Sequence, residues 1–97
     1  MNTPGERLKI AGTNILTLRV SQKMSQNDLA NKADVSRSTI VAAEAGKTTS
    51  TENLIKIADA LGVDISDLFI SRDKKIEITH RAIIFFEEFF RRMEKKK

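Results

Sequence analysis

The residues from Ser25 to Gly46, SQNDLANKADVSRSTIVAAEAG, carry two helix starts so close together that only a sharp bend fits between them. Ser25 can accept a free backbone N–H of an opening helical turn, and Asp28, three residues on, completes a capping box. Met24 and Leu29 stand at the staple positions that fix the angle at which the chain enters that helix. Ser36 repeats the device, with Val35 and Ile40 as its staple. Only Ala33-Asp34-Val35 lies between the two helices. The spacing therefore predicts a left-handed residue at Asp34, a conformation that Asp tolerates better than most residues other than glycine. Ala30 and Ala33 keep the inner face thin, so the helices can approach closely while Leu29, Val35 and Ile40 fill the angle. An ordinary helical hairpin satisfies this pattern, and so does a pair that sets its second helix into a DNA groove.

The flanking sequence supplies three more helices. Thr3 offers a cap, Pro4 a first helical residue and Glu6 a partner for the cap, after which Leu8, Ala11, Ile15 and Leu18 recur at helical spacing to about Gln22. Ser50 starts a fourth helix whose buried face carries Leu54, Ile57, Ala58 and Leu61, and Gly62 ends it. Asp64 with Asp67 makes a further capping box, and Val63 with Leu68 a further staple, opening a short fifth helix to about Phe69. The expected fold is all-α, with five helices around one core over residues 1–70. Ninety-seven residues with 40% hydrophobic content suit one small domain and one added element.

Ser25-Gln26, Leu29-Ala30, Val35-Ser36 and Glu44, followed by Gly46 and LIKIADALGVDISDLF, give the chain its resemblance to a known family. It resembles the helix-turn-helix domain of the phage repressor and Cro class, the XRE family, from about Leu8 to Phe69. The resemblance implies double-stranded DNA as the partner, with the helix that starts at Ser36 in the major groove. It implies base-facing positions at Arg37, Ser38 and Ala42, with Ser36 and Thr39 at the same helix start also among the DNA-binding residues. Arg37 is the strongest reader among them, because its fork can bond guanine O6 and N7 together; contact with phosphate alone is the plainer alternative. Ser38 suits several bases, and Ala42 suits only a thymine methyl. With Val41, Ala42 and Ala43 in succession the helix presents few donors, so sequence preference is expected to lean on DNA shape. Gln26 matches a position that contacts the DNA backbone, with an ordinary exposed glutamine as the alternative. Lys47, Thr48 and Thr49 lie in the loop that holds phosphate in the family. The resemblance also implies that Glu44 pairs with Arg19 as a structural ion pair, locking the second motif helix against the first helix of the domain.

Residues 71–97 read differently. SRDKK is a charged linker, and from Thr79 to Lys95 apolar residues at Ala82, Ile83, Phe85, Phe86, Phe89, Phe90 and Met93 wrap into one wide helical stripe opposite Glu87, Glu88, Arg91, Arg92 and Glu94. Ile84 alone breaks the pattern. Four of the five phenylalanines lie here, more apolar area than a lone surface helix leaves exposed. The remainder of the domain, a second copy, another protein or a membrane surface could cover it. Self-association is the expected answer, with Ile83, Phe86, Phe89, Phe90 and Met93 at a homodimer contact, because regulators of this class read two-fold sites. Three glutamates on the polar face speak against an anionic membrane surface. Ile76 and Ile78 alternate as a short strand would.

The net charge of +4 and pI near 9.6 favour a polyanionic partner, although five of the last seven residues, all Lys or Arg, supply part of it. The chain has no cysteine and one histidine, His80, which leaves no set of metal ligands and no catalytic triad, and it carries no Gly-rich phosphate loop. No metal, cofactor or enzymatic role is implied. The polar start MNTPGER and the lack of a long apolar run point to a cytoplasmic protein without membrane attachment. The expected function is a DNA-binding transcription regulator acting as a homodimer. An antitoxin-like interaction protein, using the Phe-rich helix to hold another protein, is the alternative.

Overall fold

Each described helix begins at a side chain that can satisfy its free N–H groups. A computed structural model describes residues 3–71 and contains α1 (Pro4–Ser21), α2 (Gln26–Ala33), α3 (Arg37–Glu44), α4 (Thr51–Leu61) and α5 (Ile65–Leu68). Thr3, Ser25, Ser36, Ser50 and Asp64 occupy the five N-caps. The box at α2 closes in both directions, Ser25 Oγ accepting from the Asp28 N–H at 3.0 Å and Asp28 Oδ2 from the Ser25 N–H at 2.8 Å. At α1 the Glu6 carboxylate accepts from the Thr3 hydroxyl at 3.2 Å. The expected helix from Thr79 to Lys95, its contact residues Ile83, Phe86, Phe89, Phe90 and Met93, the pair Ile76 and Ile78, and His80 lie outside the described residues.

One large side chain from each helix meets in the centre: Ile15, Leu29, Ile40, Ile57 and Leu68 are fully buried. Each contributes roughly 1.5–3 kcal/mol by leaving water. Small residues surround them, with Ala11, Ala30, Ala33, Ala43, Ala58 and Ala60 all buried, so the helices sit close. Gly12 marks a close approach, since a methyl group there would lie 2.5 Å from the Ala43 carbonyl oxygen. Gly12 thus lets α1 rest directly on the backbone of α3.

The bend between α2 and α3 follows the sequence expectation. Asp34 adopts φ 57° and ψ 48°, and the Val35 N–H donates to the Ala30 carbonyl at 3.0 Å, closing the end of α2. A second left-handed residue, Lys23 with φ 59°, turns the chain between α1 and α2. Lys has no local preference for that conformation, so packing imposes it. Arg19 Nη1 donates to the Met24 carbonyl at 2.8 Å and Gln22 Nε2 to the Leu61 carbonyl at 2.8 Å, pinning the turn from both sides. Behind the core, the one buried polar residue among those described, Asn14, donates to the Leu68 carbonyl at 2.7 Å and the Ile70 carbonyl at 3.1 Å. It ends α5 where that four-residue helix could not satisfy its own carbonyls.

Candidate nucleic-acid interface

Side chains of α3 divide between the core and solvent. Ile40 and Ala43 are buried, whereas Arg37, Ser38 and Val41 are exposed and Ala42 is half-buried. At 100° per residue, Ser38, Val41, Ala42 and Ala45 therefore share the outward side, with Arg37 at its N-terminal edge. The three hydroxyls at the helix start form one cluster. Ser36 Oγ accepts from the Thr39 N–H at 3.1 Å and lies 3.0 Å from Ser38 Oγ and 2.8 Å from Thr39 Oγ1. Rotation of these hydroxyls can turn a donor or an acceptor outward.

The expected ion pair is present. Arg19 Nε donates to Glu44 Oε2 at 2.6 Å and Arg19 Nη2 to Glu44 Oε1 at 3.1 Å, a two-pronged contact in which the side chains are 13% and 7% exposed. It ties α1 to the end of α3, and both groups are nearly out of water, so each needs the other. Glu44 does more than the sequence reading gave it. Its Oε1 also accepts from Gln26 Nε2 at 3.1 Å, and Gln26 Oε1 accepts from Arg37 Nη2 at 3.5 Å. One chain of polar contacts thus runs Arg19, Glu44, Gln26, Arg37, from the interior to the outward side of α3. The contacts that link Gln26 to Glu44 and Arg37 are eighteen and eleven residues apart in sequence, beyond any local pattern.

The loop after α3 is fixed by Gly46, whose φ is +77°. A methyl there would also lie 2.8 Å from Lys9 Cγ and 2.9 Å from Lys9 Cα, so α1 closes over the loop. Lys47 and Thr48 are exposed beyond it. Thr49 differs from the sequence expectation: its hydroxyl is buried and has no hydrogen-bond partner among the described residues, so it does not face outward with its neighbours. Ser50 then caps α4. Two carboxyls near helix starts titrate abnormally. The Ser25 backbone N–H first, and its hydroxyl second, hold the Asp28 carboxyl below the ordinary value of 3.8. The Ser66 hydroxyl and then its N–H do the same for Asp64. No group of three or more metal-ligating side chains occurs among the described residues, and no described helix is long and apolar enough to cross a membrane.

Residues 15–68 match the family model described as helix-turn-helix. An uncharacterized HTH-type transcriptional regulator of Methanocaldococcus jannaschii is 46% identical over 56 residues, which are 57% of this chain and 85% of that protein. Two crystal structures share the fold. The hypothetical transcription factor NHTF from Neisseria superposes with a TM-score of 0.67 at 23% identity, covering 80% of this chain and 91% of that one. The clp gene regulator ClgR from Corynebacterium glutamicum gives 0.59 at 20% identity, covering 93% of each chain.

Proposed function

Because this chain belongs to the helix-turn-helix family of DNA-binding transcription regulators, of the phage repressor and Cro type, we propose that it reads a two-fold operator as a homodimer, one α3 per half-site. The observation that carries the reading is Arg37, exposed at the start of α3 on a helix clamped to the core by Arg19 and Glu44. From there its guanidinium reaches a guanine edge, while Ser38 adds a donor or acceptor. Val41 and Ala42 present only methyl groups and suit thymine. Lys47 and Thr48 set the register on the phosphates without reading sequence.

The apolar stripe of Ile83, Phe86, Phe89, Phe90 and Met93, read from the sequence, supplies the second half of the proposal by pairing two copies. Such a protein works in the cytoplasm, by binding rather than catalysis. Selection of bound sequences from random DNA, with mass measurement of the complex, tests the proposal. A palindrome occupied by two chains supports it. Absence of salt-sensitive binding to any sequence removes the DNA reading, and a chain that stays monomeric on DNA removes the homodimer.

A further inference from the structure

The early turns of α1 precede residue 15, where the match to the family model begins, and Lys9 stands on them. We propose that Lys9 is a further phosphate contact, which grips, together with Lys47, the DNA strand that passes the loop after α3. This inference rests on the reading of α3 as the helix in the groove.

The absence of a side chain at Gly46 brings the two lysines to one place. A methyl there would lie 2.8 Å from Lys9 Cγ, 2.9 Å from Lys9 Cα and 3.2 Å from the Lys9 backbone nitrogen, so only glycine lets α1 lie this close to the loop. The stem of Lys9 rests on the Gly46 backbone, yet the residue as a whole is exposed. Lys47 and Thr48, exposed as well, follow at once. The loop continues directly from Ala45, on the outward side of α3, so a strand whose bases face α3 runs past it. No ion pair among the described residues takes up the Lys9 charge. Glu44 is bound by Arg19 and Gln26, Glu52 lies 3.9 Å from Lys56, and Glu6, three residues before Lys9, accepts from the Thr3 hydroxyl at 3.2 Å. Over residues 3–71 Lys and Arg equal Asp and Glu in number, so attraction to DNA depends on where the charges stand rather than on their sum. An ammonium is a compact charge on a flexible stem, suited to a phosphate oxygen rather than to a two-pronged base contact. Lys9 therefore adds affinity and salt dependence without reading sequence.

Equilibrium binding of the full chain to the duplex selected from random DNA, over a fourfold range of salt concentration, tests this. Lys9→Met keeps the stem over Gly46 and removes the charge, whereas Lys9→Arg keeps the charge. Each phosphate contact contributes about 0.9 to the slope of log affinity against log salt. A fourfold rise in salt should therefore weaken Lys9→Met less than the unaltered protein, by about 3.5-fold for every chain bound. Its discrimination among base pairs and its melting temperature should not change. Lys9→Arg should retain the full slope. Ethylation of single phosphates then locates the contact. One phosphate in each half-site whose ethylation weakens the unaltered protein should cease to matter for Lys9→Met, and the same phosphate or its neighbour should cease to matter for Lys47→Met. A full salt slope in Lys9→Met overturns the proposal. So does a weakening that comes with a lower melting temperature and an unaltered slope, which would make Lys9 a packing residue over Gly46. If the unaltered protein shows no salt-sensitive binding to any duplex, the DNA reading itself falls, and this proposal with it.

Discussion

Replacing Gly12 with alanine should destabilise the protein although it improves the intrinsic helix propensity of α1. The new methyl would lie 2.5 Å from the Ala43 carbonyl oxygen, 2.6 Å from that of Glu44 and 3.0 Å from the Glu44 carbonyl carbon. Ordinary contact begins at 3.4 Å, so α3 must withdraw by about 0.9 Å at its C-terminal end. All three obstacles are backbone atoms, which no change of rotamer removes. Overpacking of this kind costs about 1–3 kcal/mol. Withdrawal also stretches the Arg19–Glu44 bonds, now 2.6 and 3.1 Å. Against this, alanine regains about 1 kcal/mol over glycine inside a helix. A net loss of up to about 2 kcal/mol remains, to which the stretched ion pair adds, and each kcal/mol lowers the melting temperature by about 4–8 °C in a domain of this size. Thermal melting followed by circular dichroism measures it. Gly5→Ala, in the same helix, is the control: its methyl meets only Thr3 Oγ1 at 3.9 Å, so it should melt at or slightly above the unaltered protein. Gly12→Ala melting as high as Gly5→Ala would refute the claim that α1 rests on the α3 backbone.

Gly46→Ala combines a left-handed backbone with contact against Lys9, and should cost about 1–3 kcal/mol in a denaturant titration; a loss below about 0.5 kcal/mol would mean that the loop adapts. Asn14→Leu removes two bonds to the end of α5 and leaves the buried Leu68 carbonyl unpaired, a loss of about 1–3 kcal/mol visible in the same titration. The carboxyls of Asp28 and Asp64 are lowered in the folded state, so their stabilising contribution is complete above the ordinary value of 3.8 and disappears as pH falls through the depressed folded values. Melting temperature should therefore drop below about pH 4, and less so in Asp28→Asn/Asp64→Asn. An equal drop in that variant would place the acid sensitivity elsewhere.

What the sequence revealed of this molecule was local. The caps at Ser25, Ser36, Ser50 and Asp64, the left-handed Asp34 and the helical spacing of Ile15, Leu54 and Ile57 each declare themselves within a turn or two, and the structure follows them. Arg19 and Glu44 lie twenty-five residues apart, and only family likeness joined them in advance. Neither propensity nor periodicity could anticipate the Gln26 bridge, the grip of Asn14 on α5, or the left-handed Lys23, because packing across the domain creates all three. Gly12 carried a faint signal, a glycine amid a helical pattern, whose reason emerges only when α3 is laid against it. Thr49 shows the opposite hazard: a polar residue in a polar loop reads as exposed, yet its hydroxyl points inward.

The central claim is that α3 reads DNA and that Arg37 does most of the reading. Binding of the unaltered protein and of Arg37→Ala to the selected duplex and its single-base-pair variants, at one fixed salt concentration, tests it most directly. The account predicts weaker binding for Arg37→Ala and a discrimination loss of about 1–3 kcal/mol confined to one base pair in each half-site. Equal weakening on every sequence would make Arg37 a phosphate clamp and contradict the account.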